Sequence, residues 1–321
     1  MNANYDWGID ELVTRLHDLR VHSLEERHRL NKPPKLPVRK ELQAVVEGLS
    51  AVLFPNRLGQ PDINDEGIDY FVGYTLDTVL RKLQQQVVRE LHFTAEQTSG
   101  DTSDIEPRAN DIIRTFAAQL PDIRRLLDTD ITAAYHGDPA AYTPDEALVC
   151  YPGIVAMIHH RLAHNLYTLG VPLTARMIAE LAHSATGIDI HPGAVIGKSF
   201  FIDHGTGVVI GETSIIGNNV RLYQAVTLGA KRFYKDEYGA LIKGNARHPI
   251  VEDNVVIYAG ATILGRITIG HDSTIGGNVW LTHDVPPHST ITQAQVRTDG
   301  IVNVEQKNSQ KSSVKATQTT A

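Results

Sequence analysis

A histidine and an aspartate of the sequence occupy positions suited to acid–base chemistry. Asp189 and His204 lie 15 residues apart in a region that repeats every six residues, so that three repeats make a coil of 18. This spacing predicts that the two side chains approach each other on neighbouring coils. A carboxylate beside an imidazole fixes its tautomer and stabilises its charged form, so the pair can act as a general base and its orienting group. In the alternative interpretation, Asp189 only caps a turn and His204 has no catalytic role.

Further polar residues interrupt the same region. Glu212 follows an Ile-Gly pair, and Arg247 and His248 close a segment, residues 230–249, that departs from the repeat. This segment carries five basic and two acidic residues in a chain whose net charge is -7. It is either a solvated loop or an arm that binds phosphate groups.

The repeat itself runs from Ile190 to about Pro286. An aliphatic residue opens each repeat, Gly often follows it, and a small or β-branched residue stands four places later. Neither a helix nor a simple strand alternation has this period, so the pattern predicts a parallel β-helix of hexapeptide repeats. The repeats open at Ile190, Ile196, Ile202, Ile210, Ile216, Leu222, Leu228, Val251, Ile257, Ile263, Ile269, Ile275 and Leu281.

The region before the repeat is expected to be helical. The polar stretch 94–103 is expected to be a loop, and Pro121 is expected to kink or split the helix that contains it. Apolar residues recur with helical spacing over residues 1–30, 39–54, 65–93, 104–127, 151–169 and 173–184.

These patterns divide the chain into three parts. Residues 1–186 form a helical domain, and residues 187–290 form the β-helix, from which residues 230–249 protrude as a loop. Residues 291–321 form a polar tail that we expect to be disordered from about residue 306. The fold class is therefore α+β.

The composition restricts the class of protein. Hydrophobic residues make up 42% of the chain and charged residues 21%, which suits a soluble globular protein. The negative net charge argues against nucleic acid as a partner, and no apolar run reaches the ~18 residues of a membrane span. Without a recognisable signal peptide, a cytoplasmic protein is expected. The single cysteine, Cys150, is expected to be a small core residue rather than a nucleophile.

Several motifs together resemble the serine O-acetyltransferases, the first committed enzymes of cysteine synthesis in bacteria and plants. The resemblance covers about residues 137–290. It implies a left-handed β-helix and transfer of an acetyl group from acetyl-CoA to the hydroxyl of L-serine, with no permanently bound cofactor or metal. The motifs are DIHPGAVIGKSFFIDHGTGVVIGET, TLG at Thr227–Gly229, RHP at Arg247–Pro249, GDPAAY, YPGIVAMIHHRLAH and AGATILG.

The resemblance also implies roles for single residues. The catalytic histidine of the family falls on His204 and its paired aspartate on Asp189. The acids that hold the ammonium group of serine fall on Asp138 and Asp203.

Other roles follow from the same resemblance. The serine carboxylate is assigned to Arg247 and His248, and Glu212 matches a further acid of the active site. Acetyl-CoA is expected along a groove between prisms, near Gly229, Ala259, Gly277, Lys231 and Arg232.

For the assembly, the resemblance implies a homotrimer, or a dimer of trimers, with active sites between neighbouring prisms. Partners of O-acetylserine sulfhydrylase in this family usually end in Ile, whereas this chain ends in Ala321, which argues against that partner. Gly137 also departs from the family, in which an arginine is common at this position.

Three other interpretations compete with this one. Another hexapeptide acyltransferase would act on a sugar or an antibiotic, but the long helical region and Asp138 argue against it. A γ-type carbonic anhydrase would bind zinc through three histidines, of which His283 and His288 have a suitable spacing. A non-catalytic trimeric scaffold would leave the pair of Asp189 and His204 without a purpose.

Overall fold

The computed structural model describes residues 7–26, 35–60, 64–98, 100–232, 236–237 and 239–293. The tail predicted to be disordered from about residue 306 lies outside these residues.

Eight helices precede the first strand in the described part of the chain. Proline opens four of them, where its missing N–H and fixed φ suit the first helical turn. The helices are α1 (Ile9–Glu26), α2 (Arg39–Leu53), α3 (Pro55–Leu58), α4 (Asp65–Thr98), α5 (Ile105–Gly137), α6 (Pro144–Cys150), α7 (Pro152–Thr168) and α8 (Pro172–Thr186).

The helical region corrects three expectations. Helix α5 runs unbroken through Pro121 to Gly137, so this proline does not split it, and α4 continues to Thr98 rather than ending at residue 93. Helix α6 was not predicted. It buries Ala147 and Leu148, whereas Cys150 is exposed and is not a core residue, because it lies on another side of this short surface helix.

One apolar core continues from the helices into the β-helix. Helix α2 packs against α4 and α8, and α5 packs against α7. Large buried side chains such as Leu49, Leu83 and Phe116 fill the helical part. The helical spacing in α1 was predicted, but its apolar side chains are exposed in the described structure.

Short strands form the second part. In the described residues they are β1 (Asp189–Ile190), β2 (Val195–Ile196), β3 (Phe201–Ile202), β4 (Val209–Ile210), β5 (Ile215–Ile216), β6 (Arg221–Leu222), β7 (Thr227–Gly229), β8 (Ile250–Val251), β9 (Val256–Ile257), β10 (Thr262–Leu264), β11 (Thr268–Ile269), β12 (Thr274–Ile275), β13 (Trp280–Leu281) and β14 (Thr290–Ile291).

The strands form the three faces of a prism, and each face is a parallel sheet. Face A has the order β1-β4-β7-β10-β13, face B the order β2-β5-β8-β11, and face C the order β3-β6-β9-β12-β14. The predicted fold, helices followed by a left-handed parallel β-helix, is confirmed. Strand β7 ends at Gly229 and β8 begins at Ile250, and the described residues between them form no strand of the prism.

The repeat positions stack as the sequence predicts. Ile190, Ile210 and Leu228 are direct partners along face A, and equivalent ladders run along faces B and C. All thirteen aliphatic residues that open the repeats are buried. Removing these side chains from water in stacked ladders provides the main driving force for the prism.

A buried ion pair joins the helices to the first coil of the prism. Arg161 of α7 donates to both carboxylate oxygens of Asp130 of α5, at 2.6 and 2.8 Å, and to the carbonyl oxygens of Ile196 and Gly197. Asp130 also accepts from the backbone N–H of Phe200 at 2.9 Å. This contact fixes the end of α5, which carries Asp138, relative to the prism.

Candidate active site

The turn between β3 and β4, residues 203–208, is called the His204 corner here. It is longer than the turns 191–194 and 197–200, which explains the register slip in the sequence. Gly205 and Gly207 have φ of 82° and 79°, and a Cβ on Gly205 would lie 2.4 Å from Ile188. Glycine is therefore required where the turn folds back on the prism. His204 has φ 59° and a side chain that is 70% exposed.

Asp203 lies between two basic side chains at this corner. Its carboxylate is 11% exposed, and Oδ2 accepts a hydrogen bond from Nη2 of Arg221 at 2.8 Å. Its Oδ1 lies 3.7 Å from Nδ1 of His204. Asp203 is thus the carboxylate beside the imidazole in this structure.

The expected contact between Asp189 and His204 is not formed in the described structure. The slip lengthens the coil, so that Asp189 pairs with Val209 rather than with a residue of the turn itself. The carboxylate of Asp189 lies instead near the side chains of Glu180 and His183. The backbone N–H of Asp189 donates to Val208 at 2.9 Å, which places Asp189 beside the end of the His204 corner.

Asp138 reaches this corner from the C-terminal end of α5. Its Oδ2 accepts from the hydroxyl of Tyr151 at 2.5 Å, and its Oδ1 accepts from the backbone N–H of Ala140 at 2.8 Å. These hydrogen bonds lower the pKa of Asp138, and the one from Tyr151 has the largest effect. The charges of Arg221 and His204 act in the same direction. The same contact raises the pKa of Tyr151 to about 12. Asp138 is therefore held as a carboxylate.

The turn between β4 and β5, residues 211–214, together with Arg247 and His248, forms a second group, called the Arg247 corner. The hydroxyl of Thr213 accepts from the backbone N–H of Arg247 at 2.9 Å and of His248 at 3.1 Å. A Cβ on Gly211 would lie 2.1 Å from Nε2 of His248. The protruding loop can therefore return to the prism here only because residue 211 has no side chain.

His248 is neutral in this setting. Burial and the neighbouring Arg247 charge lower its pKa to about 4. Its Nδ1 lies 3.1 Å from the backbone N–H of Thr213, which can only donate, so the ring proton is on Nε2. His248 can therefore donate a hydrogen bond from Nε2 at neutral pH.

Glu212 orients Arg247. Its Oε2 accepts from Nη2 of Arg247 at 2.7 Å, and its Oε1 accepts from the hydroxyl of Tyr167 at 3.1 Å. Burial alone would raise the pKa of Glu212, but these hydrogen bonds outweigh it and the pKa lies below its usual value. Glu212 is therefore an ionised partner of the guanidinium.

The residues expected to contact acetyl-CoA divide between the two corners. Ala259 and Gly277 lie on successive coils below the His204 corner, where the carbonyl of Ala259 accepts from the N–H of Asn278 at 2.9 Å. Gly229 ends β7 at the other side of face A, and Lys231 and Arg232 follow it with exposed side chains.

The predicted serine site is divided in the same way. Asp138, Asp203 and His204 gather at one end of face A, and Arg247 and His248 gather at the other, with β4 between them. The three residue steps from Val208 to Gly211 span about 10 Å at ~3.3 Å per residue. The ammonium and carboxylate of an amino acid share one carbon, so a single serine does not connect the two groups of one chain.

Two groups of side chains in the described part of the chain have donor atoms close enough for a metal ion. One combines His271, Asp272 and His288 at the surface, and the other is Glu180, His183 and Asp189. His288 thus lies with His271 rather than with His283, which the carbonic anhydrase interpretation had paired with it.

Residues 248–283 match the family model described as bacterial transferase hexapeptide (six repeats). A plasmid-encoded serine acetyltransferase of Synechococcus elongatus is 55% identical over 296 residues, which cover 91% of this chain and 93% of the relative. The chain belongs to the serine acetyltransferase family. This membership confirms the resemblance and places the chain among acyltransferases.

Other serine acetyltransferases are also similar to this chain in sequence and in structure. That of Mycobacterium tuberculosis is 51% identical over 162 residues, which cover 50% of this chain and 67% of the relative. The crystal structure of isoform 3 of the Entamoeba histolytica enzyme, in complex with cysteine, is 36% identical with a TM-score of 0.68, and covers 83% of this chain and 87% of that one. In the described residues, every helix is too short or too polar to span a bilayer.

Several side chains of the site were missed in the sequence. Tyr151 lies inside a quoted motif, but its contact with Asp138 depends on how α5 and α7 pack. Arg221 is the register partner of Phe201, two residues before Asp203, so this pair depends on the lengthened coil and the regular 18-residue repeat does not predict it. Thr213 and Tyr167 act through Arg247 and Glu212, which no local pattern reveals.

Proposed function

We propose that this serine acetyltransferase transfers the acetyl group of acetyl-CoA to the hydroxyl of L-serine, giving O-acetyl-L-serine and CoA for cysteine synthesis. The observation that carries the proposal is the His204 corner, where Asp138 and Asp203 stand near an exposed imidazole. Two carboxylates suit the ammonium group of an amino acid, and an imidazole suits removal of a hydroxyl proton. The names of the relatives support serine as the acceptor.

His204 is the proposed general base. The serine hydroxyl is a poor nucleophile at neutral pH, so His204 takes its proton as the oxygen attacks the thioester carbon. The tetrahedral intermediate then expels the CoA sulfur, which receives the proton. Such a base contributes about 10²–10⁴-fold to the rate. This direct transfer needs no covalent enzyme intermediate.

Asp189 is the proposed orienting group for His204 during the reaction. The His204 side chain is exposed, and its nearest carboxylate in the structure is the one that we assign to the substrate ammonium. Catalytic hydrogen bonds are often long before substrate binds. Rotation of the imidazole toward Asp189, which lies beside the end of the corner, would leave Asp203 to the ammonium group.

Arg247 and His248 are proposed to bind the serine carboxylate. The guanidinium is held by Glu212, and His248 offers a proton on Nε2, so two fixed donors are present at one corner. Charge-assisted hydrogen bonds of this kind are about twice as strong as neutral ones.

Acetyl-CoA is proposed to lie along the prism as co-substrate. Ala259 and Gly277 present backbone near the His204 corner without large side chains, and Gly229 does so at the other end of face A. Lys231 and Arg232 are proposed to contact its phosphate groups.

A homotrimer would bring the two halves of the serine site together. The His204 corner of one chain would face the Arg247 corner of its neighbour, so that each site uses two chains. The division of the site along face A supports this arrangement, and cyclic symmetry repeats it three times. In this proposal residues 1–186 serve assembly and supply Asp138, and residues 187–290 carry out the acetyl transfer. The protein is proposed to be cytoplasmic.

A CoA-release assay tests the function. Acetyl-CoA is supplied with L-serine, L-homoserine or a sugar, and free thiol is measured. Rapid release with L-serine alone is expected, and His204→Ala should lower it by about 10²–10⁴-fold. Release only with another acceptor would contradict the serine assignment, and unchanged activity of His204→Ala would contradict its role as base.

A further inference from the structure

Arg221 is a charged residue beside the proposed ammonium site. It opens strand β6, and the site proposed above gives it no role. Its Nη2 donates to Oδ2 of Asp203 at 2.8 Å, and its positive charge also acts on Asp138. It therefore contacts one carboxylate of the site and influences the other.

Two aromatic rings hold the guanidinium. The guanidinium carbon of Arg221 lies 5.0 Å from the ring centre of Phe201 and 4.7 Å from that of Tyr223. Tyr223 in turn stacks on Tyr258 of the next coil, with ring centres 4.9 Å apart and an interplanar angle of 11°. Guanidinium groups are attracted to aromatic faces, and the rings restrict the positions that this one can take.

The rings of Phe201 and Tyr223 are called the clamp here, and the packing around them leaves the guanidinium of Arg221 little freedom to move. Nε of Arg221 is buried and has no hydrogen-bond partner among the described residues, so the direction of the guanidinium is set by Asp203 and by the rings. The end of α5 closes the clamp, because a Cβ on Gly137 would lie 2.8 Å from the Phe201 ring. The residue that precedes Asp138 therefore rests directly on the clamp.

We propose that Arg221 is a positioning residue for the substrate ammonium group: clamped by Phe201 and Tyr223, it fixes Asp203 and partly neutralises the pair of carboxylates. Two carboxylates and one guanidinium leave one net negative charge, which matches one ammonium group. This inference rests on the proposed function of Asp138 and Asp203.

The test separates the effect of the positive charge of Arg221 from that of its planar guanidinium group. Arg221→Gln removes the charge, and Arg221→Lys keeps it while losing the planar clamp. Arg124→Gln is a matched control, because Arg124 also stacks on a ring, that of Phe54 at 4.1 Å, and pairs with an aspartate, Asp128 at 2.9 Å, in the helical region. Steady-state kinetics, L-serine binding by calorimetry and Tm are measured for each variant.

Arg221→Gln is expected to raise the KM and Kd of L-serine about tenfold, because Asp203 is no longer held by a charge-assisted hydrogen bond. Its kcat and its KM for acetyl-CoA should change less than about threefold. The acidic limb of kcat/KM should move to higher pH by up to about one unit, because an uncompensated carboxylate favours protonation of the nearby imidazole. Arg221→Lys should restore the pH profile but only part of the serine affinity.

Normal serine affinity together with an unmoved pH profile in Arg221→Gln would overturn the inference, as would the same changes in Arg124→Gln. If Arg221→Gln does not fold, Tyr223→Leu tests the clamp while the charges of Arg221 and Asp203 stay in place, and it should raise the serine Kd about threefold. A protein that binds serine but releases no CoA would contradict the proposed function and not this inference, because calorimetry tests the ammonium site separately.

Discussion

Asp189 and Asp203 have different proposed roles beside His204, the first as the orienting group of the base and the second as a partner of the substrate ammonium group. Asp189→Asn should lower kcat by about 10–100-fold and leave the serine KM unchanged, because an orienting group acts on the base in the transition state. Asp203→Asn should mainly raise the serine KM. Steady-state kinetics of both variants separate the roles, and a normal kcat in Asp189→Asn would assign the orientation of His204 to Asp203.

Tyr151 fixes Asp138 through a hydrogen bond of 2.5 Å. Tyr151→Phe removes it and should raise the serine KM about three- to tenfold, with little effect on kcat. Because this hydrogen bond lowers the pKa of Asp138, its loss should raise that pKa, and serine affinity should begin to fall at a higher pH as the solution is acidified. Tyr142→Phe, at a residue that is 88% exposed, is the control. Identical serine KM profiles for both variants would contradict a role for Tyr151.

His248 allows a prediction on pH and stability. Its pKa is about 4 in the folded protein against an ordinary value of 6.5, so the unfolded chain binds more protons between these values. The stability that this neutral histidine contributes is complete above pH 6.5 and is lost as the pH falls toward 4. Tm should therefore drop more between pH 7 and pH 5 in the wild type than in His248→Asn. An equal drop in the two proteins would show that His248 is not buried as a neutral group.

At the level of secondary-structure elements, the prism was predictable because its signal is local and repeated. Each aliphatic residue that opens a repeat is buried by its equivalents one coil away, so the period alone identifies the ladders. The irregular elements depend on long-range packing. Pro121 is tolerated inside α5, and α6 exists as a surface helix that carries Cys150 outward, which the sequence patterns did not indicate.

The candidate site was also only partly predictable, because it depends on long-range packing. The motifs identified some of its residues, but the side chains that contact those residues lie on other elements. Gly137 stands where the resemblance led us to expect an arginine, and its reason is visible only in the fold, because a Cβ there would contact the ring of Phe201. The 15-residue spacing of Asp189 and His204 also predicted a contact that the structure does not form, since the lengthened turn makes Val209 the register partner of Asp189.

The buried pair of Asp130 and Arg161 connects two helices with the first coil, so its loss should affect both stability and the site. Arg161→Met leaves a buried carboxylate without its charged partner and should lower the free energy of unfolding by about 3–5 kcal/mol. The serine KM should rise as well, because α5 carries Asp138. Urea unfolding and kinetics measure both effects. Arg114→Met, which breaks an exposed pair with Asp111, should change stability by less than about 1 kcal/mol. Equal losses in the two variants would contradict the connecting role.

At the scale of the whole molecule, the distance between the His204 and Arg247 corners makes a prediction about assembly. If each site takes one corner from each of two chains, a chain with His204→Ala and a chain with Arg247→Ala can complement each other. A mixed trimer then has one intact site, formed by His204 of the second variant and Arg247 of the first.

The two inactive variants are unfolded together, mixed in equal amounts and refolded. Random assembly makes three quarters of the trimers mixed, and one of three sites in each is intact, so about a quarter of the wild-type activity should return. Each variant refolded alone should stay inactive, and so should the two mixed without unfolding if the trimers do not exchange chains. Complete absence of activity in mixed trimers, isolated by two different affinity tags, would mean that one chain builds its own site. The loop of residues 230–249 would then have to carry Arg247 across face A within a single chain, a rearrangement that the contacts of Arg247 with Glu212 and Thr213 oppose.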